Sequence, residues 1–168
     1  MLRLVAVPTV LRFPNPVNEV AARVVAAGVL VMAVAFLATG QGWILLPLAY
    51  GFVARVLTGP RLSPLGQFAT RIAAPRLGTR PVPGPPKRFA QGIGAVVTVS
   101  AAVAWLAGAG PVTYALVALI VVAATLEAVL AYCIGCKVFG LLMRVGVIPP
   151  DVCVACNDLQ ARLQLRPR

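Results

Sequence analysis

The chain contains no histidine. That absence removes a Ser-His-Asp triad, a Cys-His dyad, a histidine-ligated haem and a Cys2His2 zinc finger, each of which needs an imidazole. Acidic residues are scarce as well, 4 Asp+Glu against 15 Lys+Arg, and only 11% of the 168 residues are charged. Soluble domains carry about a quarter. With 60% hydrophobic residues and mean hydropathy +0.93, this is neither a soluble composition nor a disordered one. Aromatics reach only 7%. No aromatic or groove-reading element accompanies the +11 net charge, so nucleic acid is not the partner it implies. Met1–Phe13 lacks the apolar run and the small-residue cleavage site of a signal peptide, and is expected to lie along a membrane face.

What is present is a set of long apolar runs. A helix needs about 20 apolar residues to cross a bilayer core. Four segments compete: one opened by Asn15-Pro16 as cap and first helical residue and continuing through Val24–Thr39, then Trp43–Leu57 with Pro47, Phe89–Gly108, and Pro111 to about Cys136. The second is short, reaching only about 22 Å at ~1.5 Å per residue. The connectors Gly40-Gln41-Gly42 and Ala109-Gly110 carry no charge, whereas all 15 cations fall in the N-terminus, the middle connector and the C-terminus. The positive-inside rule places that side in the cytoplasm, with both termini inside, as expected for a multi-pass protein of the cytoplasmic (inner) membrane. The basic surplus then faces anionic headgroups, so the lipid bilayer is its partner.

The expected architecture is therefore all-α, a four-transmembrane-helix bundle with short cytoplasmic interfacial helices. It divides into an N-terminal segment and first helical pair (1–57), a basic, proline-rich cytoplasmic connector (58–88), a second helical pair (89–136) and a cysteine-containing cytoplasmic segment (137–168). In the connector, Leu65, Phe68, Ala69 and Ile72 recur at helical spacing opposite Arg71, which predicts an interfacial helix; Thr79–Lys87 reads as a stiff linker. The halves echo each other at one constant offset: Arg12-Phe13 with Arg88-Phe89, Gly59 with Gly135, Arg61 with Lys137, Leu65 with Leu141. An even number of spans makes such a repeat parallel. Small residues four apart (Gly94, Thr98, Ala102; Ala124, Ala128) allow close helix packing, within one bundle before any homo-oligomer.

Two cysteine pairs, Cys133/Cys136 and Cys153/Cys156, give C-x2-C-x16-C-x2-C. This spacing reads first as a four-thiolate metal site for zinc, with iron the other metal such a set accepts, because each short turn aims two sulfurs at one ion. It reads second as thiol chemistry, and third as four inert membrane-proximal cysteines. A structural disulfide is disfavoured on the reducing side. Cys133 and Cys136 are expected to close a helix, where the dipole opposes a thiolate. Cys153 and Cys156 are expected in the first turn of a final helix capped by Asp151, with Val152, Cys156, Leu159 and Leu163 on one face; that makes Cys153 the candidate nucleophile and Cys156 its resolving partner. Glu127, the one acid deep in a span, is expected to pair with Arg55 or to serve a relay. Glu19 and Arg23 should pair at helical spacing, and Asp158 should lie on a solvated face.

The run Tyr132-Cys133-Ile134-Gly135-Cys136-Lys137-Val138-Phe139, with Gly59-Pro60-Arg61-Leu62-Ser63-Pro64 and Lys87-Arg88-Phe89-Ala90-Gln91-Gly92, resembles a family of small, largely actinobacterial membrane proteins known as domain of unknown function 4395. The resemblance covers roughly Asn15 to Arg144. It implies a four-span protein and, because members often occur beside thioredoxin-like or rhodanese-like proteins, an association with sulfur or thiol biology. It carries no catalytic residue over. A pair that closes a helix on the reducing side also differs from four-span quinone-coupled thiol oxidoreductases, whose pair opens a helix on the oxidising side, so a disulfide-forming enzyme is not expected.

Three functions follow as expectations. The leading one is an accessory or docking protein ordered by zinc at Cys133, Cys136, Cys153 and Cys156. The second is a membrane thiol-disulfide or persulfide relay partnered with a thioredoxin-like or rhodanese-like protein. The third is a small transporter using Glu127, in which short spans would oligomerise to enclose a path.

Overall fold

The computed structural model describes residues 13–157. Met1–Arg12 and Asp158–Arg168 lie outside them, and with them the expectations for the N-terminal segment, Asp158, Leu159 and Leu163. The described chain runs β1 (Val17–Asn18), α1 (Glu19–Thr39), a 3-10 turn (Gly42–Ile44) leading into α2 (Leu45–Thr58), then α3 (Pro64–Phe68), a π-helical turn (Ala69–Ala73) and α4 (Ala74–Leu77), β2 (Pro81–Val82), α5 (Gly84–Leu106), α6 (Gly110–Leu130), α7 (Ile134–Arg144), a 3-10 turn (Pro150–Cys153) and α8 (Val154–Asn157). The fold is helical throughout, with one two-stranded ribbon among the described residues.

Three helices, α1, α5 and α6, are long and apolar enough to cross a membrane; Gly42–Thr58 is a shorter apolar helix. α1 begins where Asn18 Oδ1 accepts from Val20 N (3.0 Å) and ends where Gly40 turns left-handed at φ 66°. The cap is Asn18 rather than Asn15, because Val17–Asn18 is taken up in the ribbon. Asn15 Oδ1 caps a different helix, accepting from Gly84 N (3.0 Å) at the start of α5. Nor is Thr79–Lys87 a linker: α5 opens at Gly84, with Pro85 and Pro86 in its first turn, where a missing N–H costs nothing. Pro47 sits equally harmlessly in the first turn of α2. The helix expected at Leu65–Ile72 is present, as α3 and the π turn that follows it.

Packing crosses between the halves. The most extensive helix contacts are α1 with α6 and α2 with α5, followed by α5 with α6 and α5 with α7. Val29, Ala33, Phe36, Leu45, Leu48 and Val117 form the centre of the core. Phe36 is fully buried between Trp105 and Tyr114, each ring centroid 5.4 Å away. The buried hydroxyls of Thr58 and Thr98 donate to the carbonyls four residues earlier (2.8 and 2.7 Å), so neither is left unsatisfied. The outward faces carry Val31 (68% exposed), Val96 (68%) and Val122 (55%) in place of charges, as a bundle solvated by lipid requires.

Corresponding pieces of the two halves also face each other. β1 and β2, each just ahead of a long helix, pair antiparallel with Val17 opposite Val82. Arg23 on α1 donates to Ala128 O (3.0 and 3.1 Å) and Val129 O (3.1 Å) at the C-terminal end of α6. Arg88 on α5 donates to Val56 O (3.0 Å) near the end of α2. Both guanidiniums thus fill carbonyls that a helix end leaves unpaired, and both place positive charge at a negative dipole end. The correspondence differs from the constant offset legible in sequence. Ser63 and Cys133 take counterpart places, as extended N-caps of α3 and α7 (φ −91°, ψ 115° and φ −93°, ψ 104°).

Candidate functional site

The fourth apolar run does not continue to Cys136. It stops at Leu130, where Ala131 adopts a left-handed conformation (φ 53°) and Tyr132 N bonds back to Leu126 O (3.0 Å). A new helix, α7, starts at Ile134 with Cys133 as its N-cap, so Cys136 falls in its first turn. This reverses the expected electrostatics: the pair opens a helix, and the dipole favours a thiolate. Gly135 fixes the position of that turn. A Cβ there would lie 2.6 Å from Ala90 Cα, so only glycine lets α7 press this closely on the start of α5.

α5 brings Lys87 to the same place. Its Nζ donates to Glu127 Oε1 (2.5 Å), with side chains only 11% and 13% exposed. Glu127 therefore pairs with Lys87, not with Arg55. Arg55, 5% exposed, donates from Nε to Gln91 Oε1 (2.8 Å) and from Nη1 to Ser63 Oγ (3.2 Å), and its guanidinium lies 4.7 Å over the Phe52 ring. The two buried charges expected to neutralise each other are thus held by different partners. Glu19 likewise turns from Arg23 to Arg80 (3.4 Å), Arg23 being engaged with α6.

Both cysteines of the first pair are half-buried thiols. The Cys133 thiol bonds to the Cys136 sulfur, and the two divide one ionisation unequally. Cys133 is pushed far up, first by giving its proton to that bond and then by burial. Cys136 is drawn down, first by the bond it receives from Cys133 and then by the Lys87 ammonium, against an opposing contribution from burial. Of the two sulfurs, Cys136 is the more acidic.

A cavity of about 210 Å³ runs from Cys133 and Gly135 into the bundle, walled by α1, α2, α5 and α6. Its walls are alanine, valine, isoleucine and leucine with Phe52, Gly94 and Gly135, and the polar residues lining it are Arg55, Lys87, Gln91, Glu127 and Cys133. Among the described residues, two buried polar atoms of this set have no partner: Arg55 Nη2, a donor, and Glu127 Oε2, an acceptor. Sequence reasoning singled out Arg55, Glu127, Cys133 and Cys136 but gave no site role to Lys87, Gln91 and Ser63, although all three fall in the runs that carry the family resemblance. The signal for Lys87 was Pro85-Pro86, read as a linker instead of a helix start.

The second pair behaves differently. Cys153 and Cys156 are joined by a disulfide, against the expectation that both pairs stay reduced; their Cα atoms are 5.3 Å apart, within bridging range. Asp151 does not cap the final turn, which starts from Pro149 in an extended conformation. The structure does not gather the four cysteines, and no group of three or more Cys, Asp or Glu that could hold a metal is found among the described residues.

The model of one protein family, Domain of unknown function (DUF4395), matches residues 17–144. The match spans every element from β1 to α7 and includes Arg55, Lys87, Glu127, Cys133 and Cys136, but not Cys153 or Cys156. No curated protein and no solved structure matches the chain.

Proposed function

The chain belongs to the DUF4395 family, and from that premise we propose that it is a multi-pass protein of the cytoplasmic membrane whose Cys133/Cys136 pair is a dithiol-disulfide couple for a soluble, thioredoxin-like partner. α2 and its leading 3-10 turn make the fourth crossing, with both termini and the cysteines on the cytoplasmic side. The charge pattern supports this orientation: Arg23, Arg55, Arg88, Lys87 and Lys137 all lie towards one end of the bundle, and among the described residues the opposite end carries the uncharged Gly40–Gly42 and Ala107–Gly110 turns with Trp43, Trp105 and Tyr114.

The observation that carries the reading is geometric: Cys133 caps α7, Cys136 lies in its first turn, and the buried Lys87 ammonium nearby favours the Cys136 thiolate. In the oxidised form, a partner thiolate attacks the Cys136 sulfur. The S–S bond breaks, and Cys133 leaves and takes up a proton, its favoured state. The partner's second thiolate then attacks the mixed disulfide and releases Cys136 as a thiolate, the better leaving group of the two because its pKa is lowered. The partner is oxidised to a disulfide as the Cys133–Cys136 bond is reduced. Lys87, held in place by Glu127, is a positioning residue that keeps positive charge by the thiolate.

Trapping tests this directly. With the purified Cys133→Ser protein, a thioredoxin whose second cysteine is replaced by serine and whose remaining cysteine carries a thionitrobenzoate leaving group should accumulate as a mixed disulfide on Cys136 with release of thionitrobenzoate, because neither protein then keeps a resolving thiol. Cys136→Ser should trap none. Absence of the adduct from both variants, with both folded, would overturn the reading.

A further inference from the structure

The cavity behind Cys133 has a chemistry that exchange with a soluble protein does not use. Arg55 and Glu127 both line it, and each keeps one buried atom without a hydrogen-bond partner among the described residues, Arg55 Nη2 a donor and Glu127 Oε2 an acceptor. An orphaned buried donor or acceptor is costly, and more so when charged, so two of them on residues lining one apolar cavity call for an occupant that satisfies both. Water alone would suit these polar atoms but not the walls of Val25, Val29, Val97 and Ile120.

Size and access narrow the class. At about 210 Å³ the space exceeds a cavity of ~150 Å³ known to hold a benzene ring. It therefore admits one substituted ring or two fused rings, not a folded lipid. Ile93 on α5 (41% exposed) and Leu119 on α6 (56%) both line the cavity and emerge on the outside of the bundle. The opening between α5 and α6 thus faces the bilayer, where an apolar tail can remain.

We infer that the cavity between α1, α2, α5 and α6 takes the headgroup of a membrane quinone, and that the Cys133/Cys136 dithiol passes its electrons to it. The inference rests on the dithiol reading above. A quinone has an acceptor oxygen for Arg55 Nη2, and its reduced form has a hydroxyl to donate to Glu127 Oε2. Of the two sulfurs, only Cys133 lines the cavity; Cys136 sits outside it. The step balances. The Cys136 thiolate and the Cys133 thiol form one S–S bond and release two electrons. The quinone takes these with the proton from Cys133 and one from the medium, and leaves as quinol. Partner thiols enter by Cys136, and electrons leave by the quinone.

The test uses the reduced, full-length protein in nanodiscs, without oxygen, with decylubiquinone and menadione as probes. One quinol should form per two thiols lost, with a saturable rise in Tm on quinone binding. Ala123→Leu, which fills the cavity from α6, should abolish quinol formation, and Arg55→Gln should raise the quinone concentration needed for half-saturation at least tenfold. Thioredoxin exchange is measured on the same samples. Exchange without quinol formation or a Tm rise overturns the quinone inference and leaves the dithiol reading standing. Quinone binding without any thiol exchange overturns the dithiol reading and the electron step with it. Equal quinol yield from Ala123→Leu and the parent protein overturns the cavity as the place of reaction.

Discussion

Cys136 owes its acidity to two neighbours, so the pH dependence of its alkylation is a direct readout of the site. The rate should follow a midpoint below 9.0, the ordinary value for a thiol. Both the bond from Cys133 and the Lys87 ammonium favour the thiolate, so removing either must raise the midpoint and slow the reaction at neutral pH. Cys133→Ala removes a hydrogen bond to a charged group, about 1.5–3 kcal/mol, or roughly 1–2 pH units. Lys87→Met should shift it the same way; no shift in either variant would separate the acidity from this geometry. Arg55 and Glu127 were both legible in sequence as charges inside apolar runs, but their partners were not. Which residue a buried charge meets depends on how the helices are rotated, and hydropathy carries no such information at this density of apolar residues.

At the scale of elements, the break between α6 and α7 decides what the cysteines can do, and it was invisible in sequence. Ala131-Tyr132-Cys133 holds neither glycine nor proline, so nothing local announces a turn. The break is imposed by tertiary contact, with Gly135 seated on Ala90. Ala131 bears the strain of it, a left-handed conformation that costs a residue with a side chain about 1–2 kcal/mol. Ala131→Gly should therefore raise stability by about 1 kcal/mol in thermal unfolding. Gly135→Val should lower it by about 1–3 kcal/mol, because the opposing atom is backbone and cannot step aside. Gly92→Ala on the same α5, with nothing within 4 Å, should be tolerated. By contrast, α1, α5 and α6 were legible as helices because their apolar runs are long enough to need no tertiary help. The bond between Cys153 and Cys156 was not legible, since C-x2-C spacing serves a metal, a dithiol and a disulfide alike.

For the whole molecule, orientation is the property most open to test. On a cysteine-free background, Gln41→Cys and Ala107→Cys should react with an impermeant maleimide from outside intact cells, and Thr79→Cys only after lysis; the reverse pattern would invert the topology. The long chain-crossing contacts carry a different consequence. Arg23 closes the end of α6, Arg88 closes the end of α2, and Val17 pairs with Val82, so each half supplies what the other lacks. Neither half is a folding unit by itself. The segment around Thr79 is tied to the start of α1, Arg80 N donating to Asn18 Oδ1 (3.0 Å) and Glu19 N to Arg80 O (2.8 Å). The protein expressed as two pieces cut at Thr79 should therefore reassemble in the membrane through these contacts, each fragment acting as the other's template.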